Sequence, residues 1–145
     1  QYNVLDLPVQ PGTLDAVQRH GLMLLPFFPL ASGLLTGKYR KGESRPEGTR
    51  FGGDTFVASV LRDGQLTDAR IEKVEKLQSF ATERGHSIVE LAFSWLVSQP
   101  FVASVIAGAT KPEQIKANAA AANWELTADD FKTVAAIMAG EKAPA

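Results

Sequence analysis

Two stretches of the chain combine residue types that suit a ligand carrying both a flat ring and an anionic group. The first runs from Pro26 to Tyr39 and contains adjacent aromatic residues, Phe27 and Phe28, followed by a glycine-punctuated loop and Lys38. Glycines let backbone N–H groups approach an anion closely, and a lysine adds a positive point charge. Judged by residue types alone, a tight glycine-rich turn with a solvated lysine explains this stretch equally well.

The second stretch runs from Ile106 to Gln114 and has the pattern of a strand, a turn of small residues and a helix start. Thr110 and Glu113 have the spacing of a capping box, and Pro112 suits the first helical turn. A helix N terminus presents free N–H groups and the positive end of the helix dipole, which both favour a phosphate. The cap by itself is more typical of an ordinary helix without a ligand.

Both stretches lie in a repeated rhythm of strands and helices. Continuous apolar runs at 22–28 and 101–107 predict strands that are buried on both faces, as in parallel sheets. The alternation of strands with helices implies βαβ units and therefore an α/β fold with a parallel sheet. Two strands and a stub at the start of the chain are too few to close a barrel, so the architecture needs strands from elsewhere.

Helices are predicted where apolar residues recur at helical spacing, over 13–20, from 67 to near 85, from 88 onward and from 128 onward. The last two follow capping-box pairs, Ser87 with Glu90 and Thr127 with Asp130. The glycine- and proline-rich stretch from 33 to 53 is too long for a plain connector and predicts a binding loop. Three residues of the helix after Pro112 share a face that we expect to point inward: Ile115, Ala119 and Ala122.

Composition limits the classes of partner. The formal net charge is -1, which gives no broad attraction to nucleic acid or to an anionic membrane. The chain has no cysteine, so disulfides and thiolate metal sites are excluded. No apolar run approaches the roughly 20 residues that a membrane span needs. We therefore expect a cytoplasmic protein whose anion site is local, with no nucleic-acid or membrane partner.

Three stretches, by their residues, order and spacing, resemble the aldo-keto reductases: Tyr2–Leu5, Phe27–Tyr39 and Val105–Asn118. The resemblance covers essentially the whole chain and is most specific in the middle stretch. It implies a (β/α)8 TIM barrel, of which this chain is the carboxy-terminal part, from the end of strand six through strand eight and the terminal helix. Residues 1–145 are then the carboxy-terminal portion of one barrel domain, consistent with an opening at Gln1 that reads as the end of a strand.

The resemblance implies an NADP(H)-dependent oxidoreductase that reduces aldehydes or ketones to alcohols by hydride transfer. Phe27 takes the position of the aromatic residue that stacks on the nicotinamide, and Lys38 that of a lysine that reaches the phosphates in some branches. Arg50 is a looser match to an arginine further along the same loop. The loop that wraps the pyrophosphate in the family corresponds to Phe28, Pro29, Leu30, Ala31 and Gly33.

The family positions that hold the 2′-phosphate and the adenine correspond to Gly108, Thr110, Gln114 and Asn118. Gln114 and Asn118 are four residues apart and so share a helix face. Many members place Lys-Ser and an Arg around the 2′-phosphate, where this chain has Gly108-Ala109 and Gln114. A preference for NADP over NAD is therefore supported only by Thr110, Lys111, Gln114 and the helix dipole.

The family's catalytic Asp, Tyr, Lys and His have no counterparts here, because those positions lie in the first half of the barrel. We therefore expect residues 1–145 to contain no catalytic residue and to be inactive when expressed alone. The expected partners are a small carbonyl substrate and the missing amino-terminal half of the barrel, or a second copy through self-association. Two alternatives stay open: an NADP(H)-binding regulatory module resembling potassium-channel β-subunits, and a different phosphate-binding barrel, against which Phe27 argues.

Overall fold

The computed structural model of the chain describes residues 1–7, 10–43 and 66–141. Two segments outside the helices, residues 22–28 and 101–107, alternate with the helices along these ranges and contain short extended stretches that pair with each other. The helices are α1 (Thr13–Arg19), a kinked 3-10 helix (Ala31–Thr36), α2 (Asp68–Glu83), α3 (Ile88–Val97), α4 (Pro112–Ala120) and α5 (Ala128–Ala139). Across the described ranges, none of these helices is long and apolar enough to cross a membrane.

Side-chain caps begin three of the helices, and the caps at Ser87 and Thr127 confirm the sequence prediction. The Thr67 hydroxyl accepts the N–H of Arg70 at the start of α2. At the start of α3 the N–H of Ser87 donates to the Glu90 carboxylate at 2.7 Å, and Ser87 Oγ accepts the N–H of Glu90 in return. The same reciprocal arrangement joins Thr127 to Asp130 at the start of α5. Each such cap stabilises its helix by about 1 kcal/mol.

The two extended segments pair in parallel, which confirms the predicted direction. Bridges form between Leu24 and Val102 and between Phe27 and Ile106. Between these two bridges the second segment therefore has one residue more than the first. Pro26 lies in that interval and has no N–H to donate to a ladder. Among the described residues, the pairing is therefore two isolated bridges, and the prediction of two continuous strands is wrong.

The predicted burial of these segments on both faces is also wrong. Leu22, Met23, Leu25 and Ile106 are each more than half exposed. Within the described chain each segment has one strand neighbour, whereas a parallel strand is buried only when helices and further strands cover it. The apolar runs carry the composition of buried strands without the cover that would bury them.

The predicted inward face of the helix after Pro112 is wrong for a related reason. Ile115 is 63% exposed, Ala119 is exposed and Ala122 is half-buried. All the residues of α4 are described, and none of them is buried. Helical spacing shows which residues share a face, but burial depends on what packs against that face.

The main core lies between α2, α3, α5 and the 3-10 helix. Leu34 and Leu35 of the 3-10 helix have no exposed surface and pack among apolar side chains of the longer helices. A smaller cluster lies beside the paired segments and consists of Tyr2, Val17, Leu96, Phe101 and Val102. The buried hydroxyl of Ser94 donates to the carbonyl of Ala121 and accepts the N–H of Trp124, which ties α3 to the chain after α4.

The buried carboxylate of Asp130 gives the fold a defined response to acid. Burial alone would raise its pKa, but the N–H and hydroxyl of Thr127 donate to it at 2.9 and 2.8 Å, and Arg84 donates at 2.6 Å. These donors hold the pKa of Asp130 below its ordinary value of 3.8. Because the pKa is lower in the folded state, the stability that this group contributes is present above pH 3.8 and lost as the pH falls through the folded value.

Asp130→Asn should lower the free energy of unfolding at neutral pH by about 1–3 kcal/mol, because it weakens hydrogen bonds that a charge strengthens. It should also reduce the loss of stability on acidification. The measurement is urea unfolding at a series of pH values between about 2.5 and 6. Asp129→Asn, at the exposed neighbouring position, is the matched control and should keep the wild-type slope. An unchanged slope in Asp130→Asn would contradict the assignment.

Candidate functional site

A cleft of about 300 Å³ opens where the two paired segments end and the 3-10 helix begins. Its wall comes from two parts of the chain, the turn that follows the first segment and the end of the second segment. The lining residues are Phe27, Phe28, Pro29, Leu30, Ser32, Gly33, Lys38, Ile106, Ala107 and Gly108. The carboxyl ends of parallel strands are the common place for ligands in α/β proteins.

The backbone of the cleft wall takes conformations that side chains disfavour. Phe28, Ala31 and Ser32 have φ angles of 56°, 46° and 57°, all in the left-handed region, and Gly33 has φ of 101°. Each non-glycine residue held there costs on the order of 1–3 kcal/mol, and such residues cluster at ligand sites. The turn must therefore be held in place by the structure around it.

Two features hold the turn. Ala31, Leu34 and Leu35 are completely buried in the main core, so the turn cannot relax without exposing apolar surface. Hydrogen bonds inside the turn run from the N–H of Ala31 to the carbonyl of Phe28 at 3.0 Å and from the N–H of Gly33 to the carbonyl of Leu30 at 2.8 Å. Because these two N–H groups are engaged within the turn, an anion at the cleft would meet the lysine rather than them.

Lys38 is that lysine, and Gly33 makes room for it. Its Nζ lies 5.2 Å from the centroid of the buried Tyr39 ring, a cation–π distance. The same atom lies 3.2 Å from the point where a Cβ on Gly33 would sit. Among the described residues that line the cleft, Lys38 is the one that carries a charge, so the cleft favours anions.

The aromatic part of the wall is Phe27 and Phe28. Phe27 is 46% exposed and Phe28 40%, and their ring centroids lie 5.1 Å apart with the rings tilted by 53°. Exposed aromatic rings at the mouth of a cleft offer a planar apolar surface on which a flat ligand ring can stack. An aromatic surface beside one ammonium group matches a ligand that has both a ring and an anionic group.

The N terminus of α4 follows Gly108 after a short turn and is capped by Gln114. The side-chain oxygen of Gln114 accepts the N–H of Thr110 at 2.7 Å, the hydroxyl of Thr110 at 3.2 Å and the N–H of Lys111 at 3.3 Å. The predicted capping box of Thr110 with Glu113 is therefore wrong. Since α4 starts at Pro112, the third helical position is Gln114 rather than Glu113. The Gln114 side chain therefore already accepts the two N–H groups that immediately precede the helix.

The sequence profile described as "Aldo/keto reductase family" matches residues 1–139. The chain belongs to the aldo/keto reductase family. It is 38% identical over 123 residues to the L-glyceraldehyde 3-phosphate reductase of Escherichia coli O157:H7, a match that covers 84% of this chain and 35% of the relative. It is 40% identical over 119 residues to a probable voltage-gated potassium channel subunit beta of Oryza sativa subsp. japonica, with coverage of 81% and 35%.

A solved structure shows the same fold. The glycerol dehydrogenase of Gluconobacter oxydans superposes with a TM-score of 0.73 over 99% of this chain and 42% of that one, at 23% sequence identity. The aldo/keto reductase fold is a (β/α)8 barrel, and the parallel pairing of the two extended segments agrees with it. The chain spans about a third of the length of the curated relatives it matches.

The structure brings most of the predicted cofactor residues of this aldo/keto reductase chain to one cleft, and their roles remain predictions. Those that line it are Phe27, Phe28, Pro29, Leu30, Gly33, Lys38 and Gly108. Ala31 does not line it and is wholly buried behind the wall. Thr110, Gln114 and Asn118 lie in and just before α4, with Gln114 exposed and Asn118 half-buried. Arg50 lies outside the described residues.

Four residues that line or support the cleft are not among those that the sequence predicts for the cofactor site. Ser32, Ile106 and Ala107 line it, and their ordinary residue types carry no signal of a ligand site. Asn3 lies behind the wall, completely buried, and donates to the carbonyl of Phe28 at 3.0 Å. The signal in the sequence is an asparagine between apolar residues at the end of a predicted strand, because an amide buried in such a place needs hydrogen-bond partners.

Gly33→Ala tests whether the cleft wall needs its left-handed backbone. The substitution should lower the free energy of unfolding by about 1–3 kcal/mol, because an alanine is strained at that φ and its Cβ meets Lys38. Gly108→Ala is the matched control on the same cleft: no atom lies within 4 Å of its added Cβ, and its stability should stay within about 0.5 kcal/mol of wild type. Equal losses in the two variants, measured by urea unfolding, would refute the prediction.

Proposed function

We propose that residues 1–145 are the carboxy-terminal part of an aldo/keto reductase barrel domain, from the end of strand six through strand eight and the terminal helix, and that they bind NADP(H). The whole protein would reduce aldehydes or ketones to alcohols by hydride transfer. The observation that carries the proposal is the placement of the exposed Phe27 ring and the Lys38 ammonium on one cleft. A dinucleotide cofactor has the two matching parts, a flat nicotinamide and a charged pyrophosphate.

The residues of the cleft fit these parts. The Phe27 ring offers a stacking surface for the nicotinamide, and the loop of Phe28, Pro29, Leu30 and Gly33 borders the space for the pyrophosphate. When bound, the cofactor supplies the hydride. The chain's own part is to bind and orient it, and Ala31 contributes through the core that holds the loop. The group that protonates the carbonyl oxygen lies outside residues 1–145, which we expect to be inactive by themselves.

We place the adenosine end at α4, with the 2′-phosphate near Gly108, Thr110, Lys111 and Gln114 and the adenine near Asn118. The N–H groups of Thr110 and Lys111 donate to the Gln114 carboxamide, so a phosphate that uses them must displace that carboxamide. Arg50 would add a second cation on the pyrophosphate side. We place the protein in the cytoplasm, and its partners would be a small carbonyl substrate and the rest of the barrel, or a second copy that covers the exposed apolar segments.

A regulatory role is the second candidate. The rice relative, at 40% identity, is named as a probable potassium channel subunit beta. A protein of that kind would hold the same cofactor and turn it over slowly. The two functions differ in the rate of NADPH oxidation by the full-length protein with a panel of aldehydes and ketones: rapid turnover supports the reductase, and tight binding with little turnover supports the regulatory module.

Phe27→Ala, made in the full-length protein that carries these residues, should weaken NADPH binding by about 1 kcal/mol or more, roughly fivefold in Kd, through lost stacking and lost apolar contact. The measurement is a titration that follows nicotinamide fluorescence. Val97→Ala removes an exposed apolar side chain from the end of α3, away from the cleft, and is the control that should leave the Kd unchanged. If Phe27→Ala binds NADPH as well as wild type does, the ring is not the nicotinamide platform.

Gln114→Glu tests the adenosine end. A carboxylate accepts the same hydrogen bonds from Thr110 and Lys111, so α4 should stay capped and thermal unfolding without cofactor should be unchanged. Its negative charge should repel the 2′-phosphate and weaken NADPH about tenfold or more, with NADH nearly unaffected. The control is Glu113→Gln, which removes a charge from the same turn and should not lower the NADPH-to-NADH affinity ratio. A ratio unchanged by Gln114→Glu would place the 2′-phosphate elsewhere.

A further inference from the structure

A completely buried asparagine lies behind the aromatic wall of the cleft. Asn3 Nδ2 donates to the carbonyl of Phe28 at 3.0 Å and to Asp6 Oδ2 at 3.1 Å. Its Oδ1 accepts the N–H groups of Leu5 and Asp6, both at 2.9 Å. Four hydrogen bonds in different directions leave this side chain one orientation, and that orientation aims the amide at the Phe28 carbonyl.

Asp6 connects this asparagine to a distant helix. Arg70 lies in the first turn of α2, and its Nη1 donates to Asp6 Oδ1 at 2.7 Å while its Nη2 donates to Asp6 Oδ2 at 3.1 Å. Both side chains are largely buried, with exposures of 22% for Arg70 and 17% for Asp6. A two-point guanidinium–carboxylate contact fixes the plane of the carboxylate as well as its position.

The surroundings of Asp6 keep its carboxylate ionised. Burial alone would raise the pKa of Asp6, but the hydrogen bonds from Arg70, Asn3 and Gln1 and the Arg70 charge hold it below the ordinary value of 3.8. The carboxylate is therefore ionised at neutral pH. A charge paired in this way resists reorientation, because turning the carboxylate would leave a largely buried guanidinium without its counterion.

The far end of the connection is the strained part of the cleft wall. Phe28 has φ of 56°, and its carbonyl accepts two hydrogen bonds, one from Asn3 and one from the N–H of Ala31 at 3.0 Å. A residue in this conformation persists only when its surroundings over-determine it. The Phe28 carbonyl belongs to the peptide bond with Pro29, so Asn3 and Ala31 fix the backbone on the carboxyl side of Phe28. Phe27 is joined to the amino side of Phe28, and its position therefore follows the conformation in which Phe28 is held.

We propose that Arg70, Asp6 and Asn3 act as positioning residues that fix the Phe28 peptide, and through it the Phe27 ring against the nicotinamide. The assignment rests on the proposed function, since it names what orients the same cleft. Arg70 belongs to α2, and this helix packs in the main core through Val74 and Leu77. The core thereby sets the angle of a ring that lies outside it.

The first test uses Arg70→Met in the full-length protein and two ligands, NADPH and 2′,5′-ADP, which lacks the nicotinamide. The variant should weaken NADPH by up to the roughly fivefold loss expected for Phe27→Ala, because a displaced ring loses part or all of its stacking contact. It should leave the affinity for 2′,5′-ADP unchanged. Arg84→Met is the matched control: it breaks the ion pair with Asp130 at the other end of α2, and it should change neither affinity. Arg70→Lys, which keeps the charge and loses the two-point contact, replaces the variant if it does not fold and should show a smaller loss of the same kind.

The second test is a double-mutant cycle with Phe27→Ala. If Arg70 acts through the Phe27 ring, its substitution should have no further effect on NADPH affinity once the ring is absent. Additive losses, an unchanged NADPH affinity, or equal weakening of both ligands would each overturn the assignment. The wild-type titration distinguishes failure of the positioning role from failure of the proposed function. If the wild-type protein binds neither ligand, both the proposed cofactor site and the positioning role are wrong. If the wild-type protein binds NADPH and the Arg70 variant binds it equally well, only the positioning role is wrong.

Discussion

The burial of Leu34 and Leu35 is the constraint on which the rest of this structure depends. Both side chains are inaccessible to solvent, and they lie in the same loop as Phe28, Ala31 and Ser32, the three non-glycine residues with left-handed backbone among those described. Burying a leucine fully is worth about 1.5–3 kcal/mol, which is similar in size to the strain of one such residue. The core between α2, α3 and α5 can therefore hold the cleft wall in a conformation that the chain would not choose locally.

This dependence divides the molecule by role. The capped helices α2, α3 and α5 form a layer whose apolar faces meet each other, and most of the fully buried side chains lie there. The paired segments and α4 are more exposed and carry residues that face the cleft or lie beside it. The core of α2, α3 and α5 therefore holds in place the loop that lines the cleft.

The parts of the fold that sequence predicts well are those decided within a few residues. The capping boxes Ser87/Glu90 and Thr127/Asp130 involve residues three apart, and both form. At α4, a helix that starts at Pro112 moves the capping role from Glu113 to Gln114, because the pattern fits two registers. The burial predicted for the segments around Leu25 and Ile106 is wrong, because burial depends on what packs against a segment and residue types do not contain that information.

The site shows the same division. Phe27 and Lys38 fall on one loop, so their common placement could be predicted from one stretch of sequence together with the family resemblance. Arg70 and Asp6 are 64 residues apart in the sequence, and the residues around each of them form no motif that would predict their contact. A contact between residues so far apart in the sequence depends on tertiary packing, here on the position of α2 beside the start of the chain.

Under the proposed placement of the 2′-phosphate at α4, the cap that Gln114 forms has a consequence for how the protein would discriminate between dinucleotides. The N–H groups of Thr110 and Lys111 are hydrogen-bonded to the carboxamide already, so an incoming phosphate oxygen would exchange one acceptor for another. Hydrogen-bond energy largely cancels in such an exchange, and what remains is the difference between a neutral and an ionised acceptor. Selectivity for the extra phosphate would then be coulombic at an exposed site, and it would fade as ionic strength rises and the Debye length shrinks to about 8 Å at physiological salt.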